Sequence, residues 1–126
     1  MPEKKFIRNG PHLPVKDLGQ TIDYYRDTLG FSEEWTAGSK DGGISRDEMR
    51  LLFAEDPKFV NDINNYRHRL PLMWFVYNID EIYSEFQNRE IVIVDKLKYH
   101  SYGLREFAFI DINGYYICIA EGTERE

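Results

Sequence analysis

From Leu13 to Leu29 the chain changes its hydrophobic period once. Leu13 and Val15 alternate with Pro14 and Lys16, the two-residue repeat of a strand. Asp17 and Gln20 then form a D-x-x-Q box, in which a short polar side chain accepts an orphan amide of a first helical turn. Leu18, Ile22, Tyr25 and Leu29 follow at spacings of four, three and four, and Gly30 comes next. These make one apolar stripe with a stop residue that tolerates left-handed backbone. The segment HLPVKDLGQTIDYYRDTLGF therefore predicts strand, then helix.

The pattern occurs twice. In LMWFVYNIDEIYSEFQNRE, residues 72–90, alternation gives way at Asn78, Glu81 completes a second box, and Ile79, Ile82 and Phe86 form the stripe. Asn78 stands 61 positions after Asp17. The tails match as well: WTAGSKDGGISRDEMRLLFAE and KYHSYGLREFAFIDINGYYICIAE each read as strand, polar turn, strand, and both finish in Ala-Glu. Asp111-Ile112-Asn113-Gly114 is a strong hairpin signal. Each half is thus β-α-β-β-β, giving an α+β fold of two modules in a single domain spanning 1–126. Module one covers about 10–56, a connector about 57–70 runs between Pro57 and Pro71, and module two covers about 71–121. A sheet with one helix has one covered and one bare face, so two such mixed sheets either bury the bare faces or curve around a ligand, and the curvature would make a cleft.

Bulk composition narrows the partners. The 126 residues suit one domain with a real core. Nine Tyr and eight Phe are too many aromatics for a disordered chain. A net charge of -6 repels phosphate backbones and anionic lipid, so nucleic acid is not an expected partner, and the field favours cationic ligands. Cys118 is the only cysteine, which excludes an internal disulfide and paired-cysteine zinc or redox motifs. With no signal-like or membrane-length apolar run, the expected setting is cytoplasmic, without membrane association.

The phrases LPVKD, YYRDTLGF and YGLREFAFIDINGYYICIAE resemble those of the vicinal oxygen chelate superfamily, which includes glyoxalase I, extradiol dioxygenases and bleomycin resistance proteins. The resemblance runs from about Pro11 to Glu121 and implies a homodimer with a cleft in each curved sheet. Bleomycin resistance proteins add an exchanged N-terminal strand hinged near a proline, and Pro11 and Pro14 lie where such a hinge would be. In metal-using relatives a His, Gln or Glu projects from the first strand of each module, and a Glu from the last. The matching positions here are Gly10 and about Leu52 in module one, and about Pro71 and Cys118 in module two. His12, on the same face as Gly10, adds one imidazole. A divalent site needs about three protein ligands, so no metal and no other cofactor is expected.

The remaining chemistry is sparse. His12, His68 and His100 are widely separated and read as surface or strand-end residues. Cys118 is either a small apolar filler or, beside a cation, a nucleophile. No G-x-S-x-G elbow occurs, and GSKDGG at 38–43 lacks the GK[ST] ending of a phosphate loop. Aromatic residues are the better lead. Strand parity turns Trp74 and Val76 toward the helix and leaves Met73 and Phe75 on the cleft side, with His12 and Tyr116. Trp35 and Tyr102 match aromatic positions of bleomycin-type relatives. Trp35, Phe75, Tyr99, Tyr102 and Tyr116 form a candidate groove for a planar or cationic ligand, with stacking and cation-π contacts of ~0.5 to 2 kcal/mol each. The alternative is that these aromatics pack the core or a dimer interface. Arg105, in a strand, is a candidate anion partner.

The sequence thus points to a metal-independent binding protein that sequesters a small molecule at a dimer interface, acting by occupancy and not by turnover. The alternative within the superfamily is a metal-dependent lyase, isomerase or dioxygenase. A third reading is a dimeric module whose aromatic surfaces serve only assembly.

Overall fold

A computed structural model describes residues 3–100 and 103–122. The chain divides into two compact units, Met1–Asp56 and Pro57–Glu126.

The first unit runs β1 (His12–Val15), α1 (Leu18–Asp27), β2 (Ser32–Ala37), β3 (Asp41–Arg46) and β4 (Met49–Glu55). Its sheet has the order β1-β4-β3-β2, with β1 parallel to β4 and the other pairs antiparallel. The parallel pair follows from the crossover, because strands joined through a helix can return in the same direction. The expected cap is present: Asp17 Oδ1 accepts the Gln20 amide at 2.8 Å. Gly30 has φ +77, so the chain turns into β2 where a side chain would be strained. The whole α1 stripe is buried, and Tyr25 packs edge-on to Phe31 (5.4 Å between ring centroids) and against Phe53 (5.2 Å).

The second unit opens with α2 (Pro57–Ile63), then β5 (Pro71–Val76), α3 (Ile79–Asn88), β6 (Val92–Tyr99), β7 (Arg105–Ile110) and β8 (Tyr116–Glu121). The order β5-β8-β7-β6 repeats that of the first sheet, again with one parallel outer pair, β5 with β8. Phe86 of α3 meets Phe107 and Phe109 edge-on, and Trp74 of β5 meets Phe109. Removing each such ring from water contributes about 1.5–3 kcal/mol. The expected α+β duplication, two mixed four-stranded sheets each carrying a crossover helix, is therefore the observed architecture.

Two local expectations need correction. Within the connector, for which no element was expected, PKFVNDI forms α2 and buries Val60. The N-x-x-E segment also does not act as a capping box. Asn78 sits in left-handed backbone at φ 56 and makes no side-chain cap. Its carbonyl instead accepts the Glu81 amide at 3.0 Å. Asn tolerates this conformation better than most residues, so here it provides the bend from strand to helix.

Candidate functional site

The second sheet sorts its residues cleanly by face. Leu72 and Trp74 lie opposite Ile117 and Ile119, and Phe107 and Phe109 pair with Ile119 and Ile117 on the side of α3. Met73 and Phe75 pair with Cys118 and Ala120, and Pro71 with Tyr116, on the open side. Neighbours in register share a face, so β7 adds Glu106 and Ala108 through their partners Ala120 and Cys118. Met73 and Phe75 are about half exposed.

The outer strand brings charge to this face through irregularity. Asp95 pairs with Ala108 and Lys98 with Glu106, so two residues of β6 span one of β7. A bulge of this kind puts positions three apart on the same side. Lys98 Nζ accordingly lies 3.1 Å from Asp95 Oδ1. His100, just beyond the strand, is anchored by its amide, which donates to the Leu104 carbonyl at 3.0 Å. Its ring stands between two carboxylates, with Nδ1 3.5 Å from Glu106 Oε1 and Nε2 3.7 Å from Asp95 Oδ2. Glu106 is buried, at 5% exposure.

These charges reach the neighbouring strand. Burial pushes the Cys118 thiol above its ordinary range, and Glu106 and Asp95 add to the shift. Burial likewise raises Tyr116, with Cys118, Asp95 and Glu106 contributing. A protonated thiol among carboxylates is a poor nucleophile, and Cys118 is only partly buried.

The other candidate residues are distributed as follows. His12 and Trp35 belong to the first unit. Trp35 is on β2 opposite Gly43, where its indole lies so close that a Cβ on Gly43 would be 2.6 Å from Nε1. His12 begins β1 opposite Leu52. Tyr99 and Arg105 pair with each other, and Arg105 faces the α3 side, away from Met73, Phe75 and Tyr116. There its guanidinium donates to both carboxylate oxygens of Asp80 at 3.1 Å and to Glu121 Oε2 at 3.4 Å. Asp80 chiefly, then Glu121, holds its pKa above the usual value. Arg105 thus ties β7 to the first turn of α3. Tyr102 lies outside the described residues.

The four positions matched to metal ligands have donor chemistry that does not fit a divalent centre. Gly10 precedes β1, Leu52 is opposite His12, Pro71 begins β5, and only Cys118 offers a donor atom. Among the described residues no group of three or more His, Cys, Asp or Glu is placed to hold a metal ion. No helix among them is long and apolar enough to cross a membrane.

Sequence reasoning missed Asp95, Lys98, His100 and Glu106. One signal was present for Glu106: in REFAFI it alternates with Phe107 and Phe109, a charge ranked with small residues on a strand whose other face is core. The bulge that gathers Asp95 and Lys98 has no such signature.

Comparison with known proteins bears on the whole of this architecture. The model of the Glyoxalase/Bleomycin resistance protein/Dioxygenase superfamily matches residues 9–119. No curated protein sequence matches the chain. Among solved structures, the chain is similar to the bleomycin-binding protein of bleomycin-producing Streptomyces verticillus complexed with copper(II)-bleomycin. That pair has 21% identity and TM-score 0.75 over 96% of this chain and 100% of that one. It is also similar to lactoylglutathione lyase from Agrobacterium tumefaciens (16%, TM-score 0.70, 97% and 96%) and to TioX from Micromonospora sp. ML1 (15%, 0.69, 92% and 100%). At these identities the structural likeness establishes the fold alone.

Proposed function

Because this chain belongs to the Glyoxalase/Bleomycin resistance protein/Dioxygenase superfamily, a scaffold whose members both bind and transform small molecules, we propose that it captures a planar, cationic small molecule without a metal. One observation carries this reading: the open face of the second sheet carries half-exposed Met73 and Phe75 on β5, with Tyr116 on β8, and the Glu106 and Asp95 carboxylates on β7 and β6 across the same face. The apolar surface takes a flat body by stacking, and the carboxylates take its positive charge. Capture requires no activated nucleophile, in keeping with the raised Cys118 thiol. Likeness to a bleomycin-binding protein favours the same reading. Its cellular form would be a cytoplasmic homodimer, with ligand held near the interface, N-terminal strands exchanged, and antibiotic resistance as one consequence.

The second reading, a metal-dependent lyase, isomerase or dioxygenase, is favoured by likeness to a lactoylglutathione lyase and opposed by the donor-poor positions Gly10, Leu52 and Pro71. Thermal denaturation with ethidium and with copper(II)-bleomycin tests the proposal. A ligand that binds only the folded state at a hundredfold excess over Kd adds about 2.7 kcal/mol. A clear rise in Tm with either compound, diminished in Phe75→Ala, is expected. No rise with either would count against capture.

A further inference from the structure

The imidazole on the open face has a consequence that the aromatic surface alone does not. His100 places one ring nitrogen 3.5 Å from Glu106 and the other 3.7 Å from Asp95. Its protonated form is therefore a cation already in place between the two carboxylates that the capture reading assigns to a cationic guest. We propose that His100 is a built-in competitor that gates this capture by pH: the imidazolium holds the carboxylates in acid, and the neutral imidazole yields them to the guest. The inference rests on the capture reading and adds its regulation.

The surroundings isolate this one titration. From β6 the ring is faced by Asp95 and Lys98, from β7 by Glu106, and from β8 the nearest titratable residues on the same face are Tyr116 and Cys118. Of these residue types, histidine is the one whose charge changes between about pH 5 and 8. Burial moves Cys118 and Tyr116 further from that window. Loss of the imidazolium proton lowers the net charge of the cluster by one unit. By linkage, a guest cation that binds the protonated form expels the His100 proton to solvent.

Ethidium, whose charge does not titrate in this range, is a suitable probe. In wild type its Kd is expected to tighten about fivefold between pH 5.5 and 8.0, the effect of one unit charge at contact distance through water. In His100→Gln, which has a neutral polar group at every pH, the Kd should be flat. Calorimetry of the wild type at pH 6.5, in two buffers of different ionisation enthalpy, should show proton release on binding, and this arm needs no variant to fold. Binding without proton release, or with parallel pH profiles in wild type and His100→Gln, would overturn the gate and leave capture standing. Absence of ethidium binding at every pH would overturn both.

Discussion

The two sheets share the register of their inner strand pairs and differ on the outer strand and in what they carry. Ala54 of β4 pairs with Asp41, and its counterpart Ala120 of β8 pairs with Glu106. Asp41 is exposed, whereas Glu106 is buried beside His100. On the outer strand, Trp35 stands opposite Gly43 in the first sheet, and Asp95 stands opposite Ala108 in the second. The first unit thus uses a bare glycine to seat an indole, while the second uses the same place for a carboxylate. Duplication set the strand order, and a few side chains on the outer two strands separate an exposed face bearing an indole from one bearing charge.

The largest expected effect breaks the core of one unit. Phe107 is fully buried against Tyr83 and Phe86, so Phe107→Ala should cost about 3–5 kcal/mol by denaturant titration. Its counterpart Gly42 has no side chain to lose. The Gly43 and Ala108 pair sharpens the contrast. A Cβ at Gly43 would lie 2.5 Å from the Leu51 carbonyl, and Gly43→Ala should cost about 1–3 kcal/mol through overpacking, against about 0.5–1 for Ala108→Gly. An equal loss at both would remove the reason given for the glycine.

Next come the two helix starts. Asp17→Ala removes a side-chain cap and should cost about 1 kcal/mol. Asn78 acts through its left-handed backbone, so Asn78→Gly should be neutral or stabilising, while Asn78→Ala should cost about 1 kcal/mol. Thermal melts of the three variants separate side-chain capping from backbone tolerance.

The smallest effect is chemical. Alkylation of Cys118 by iodoacetamide should be slow at pH 8, with its midpoint above the ordinary thiol value, because burial and then Glu106 and Asp95 disfavour the thiolate. The sign for stability follows: a pKa raised in the folded state makes this contribution whole below the unfolded thiol value and lost as pH rises through the folded one. A thiol titrating near neutrality would contradict the placement of Cys118 beside those carboxylates.

Much of this molecule was legible in its sequence for definite physical reasons. Period changes at Asp17 and Asn78, and the two Ala-Glu endings, mark the modules because core burial demands alternation in strands and a stripe in helices. Parity placed Met73, Phe75 and Tyr116 together on one face, as the register does. The same parity carried along β7 puts Arg105 on the Phe107 face toward α3, where Asp80 and Glu121 engage it. The cluster at Asp95, Lys98 and His100 was not legible, because a bulge shifts parity without changing composition. Asn78 shows the related difficulty that one residue type serves both as a cap and as a left-handed bend.

The most direct test of the central claim, capture by the second sheet without a metal, is ethidium titration of protein dialysed against EDTA, with metal content measured in parallel. The account predicts saturable, near-stoichiometric binding that EDTA leaves unchanged and that Glu106→Gln weakens about tenfold. Binding or lyase activity that disappears with EDTA and returns with one equivalent of a divalent ion would contradict it.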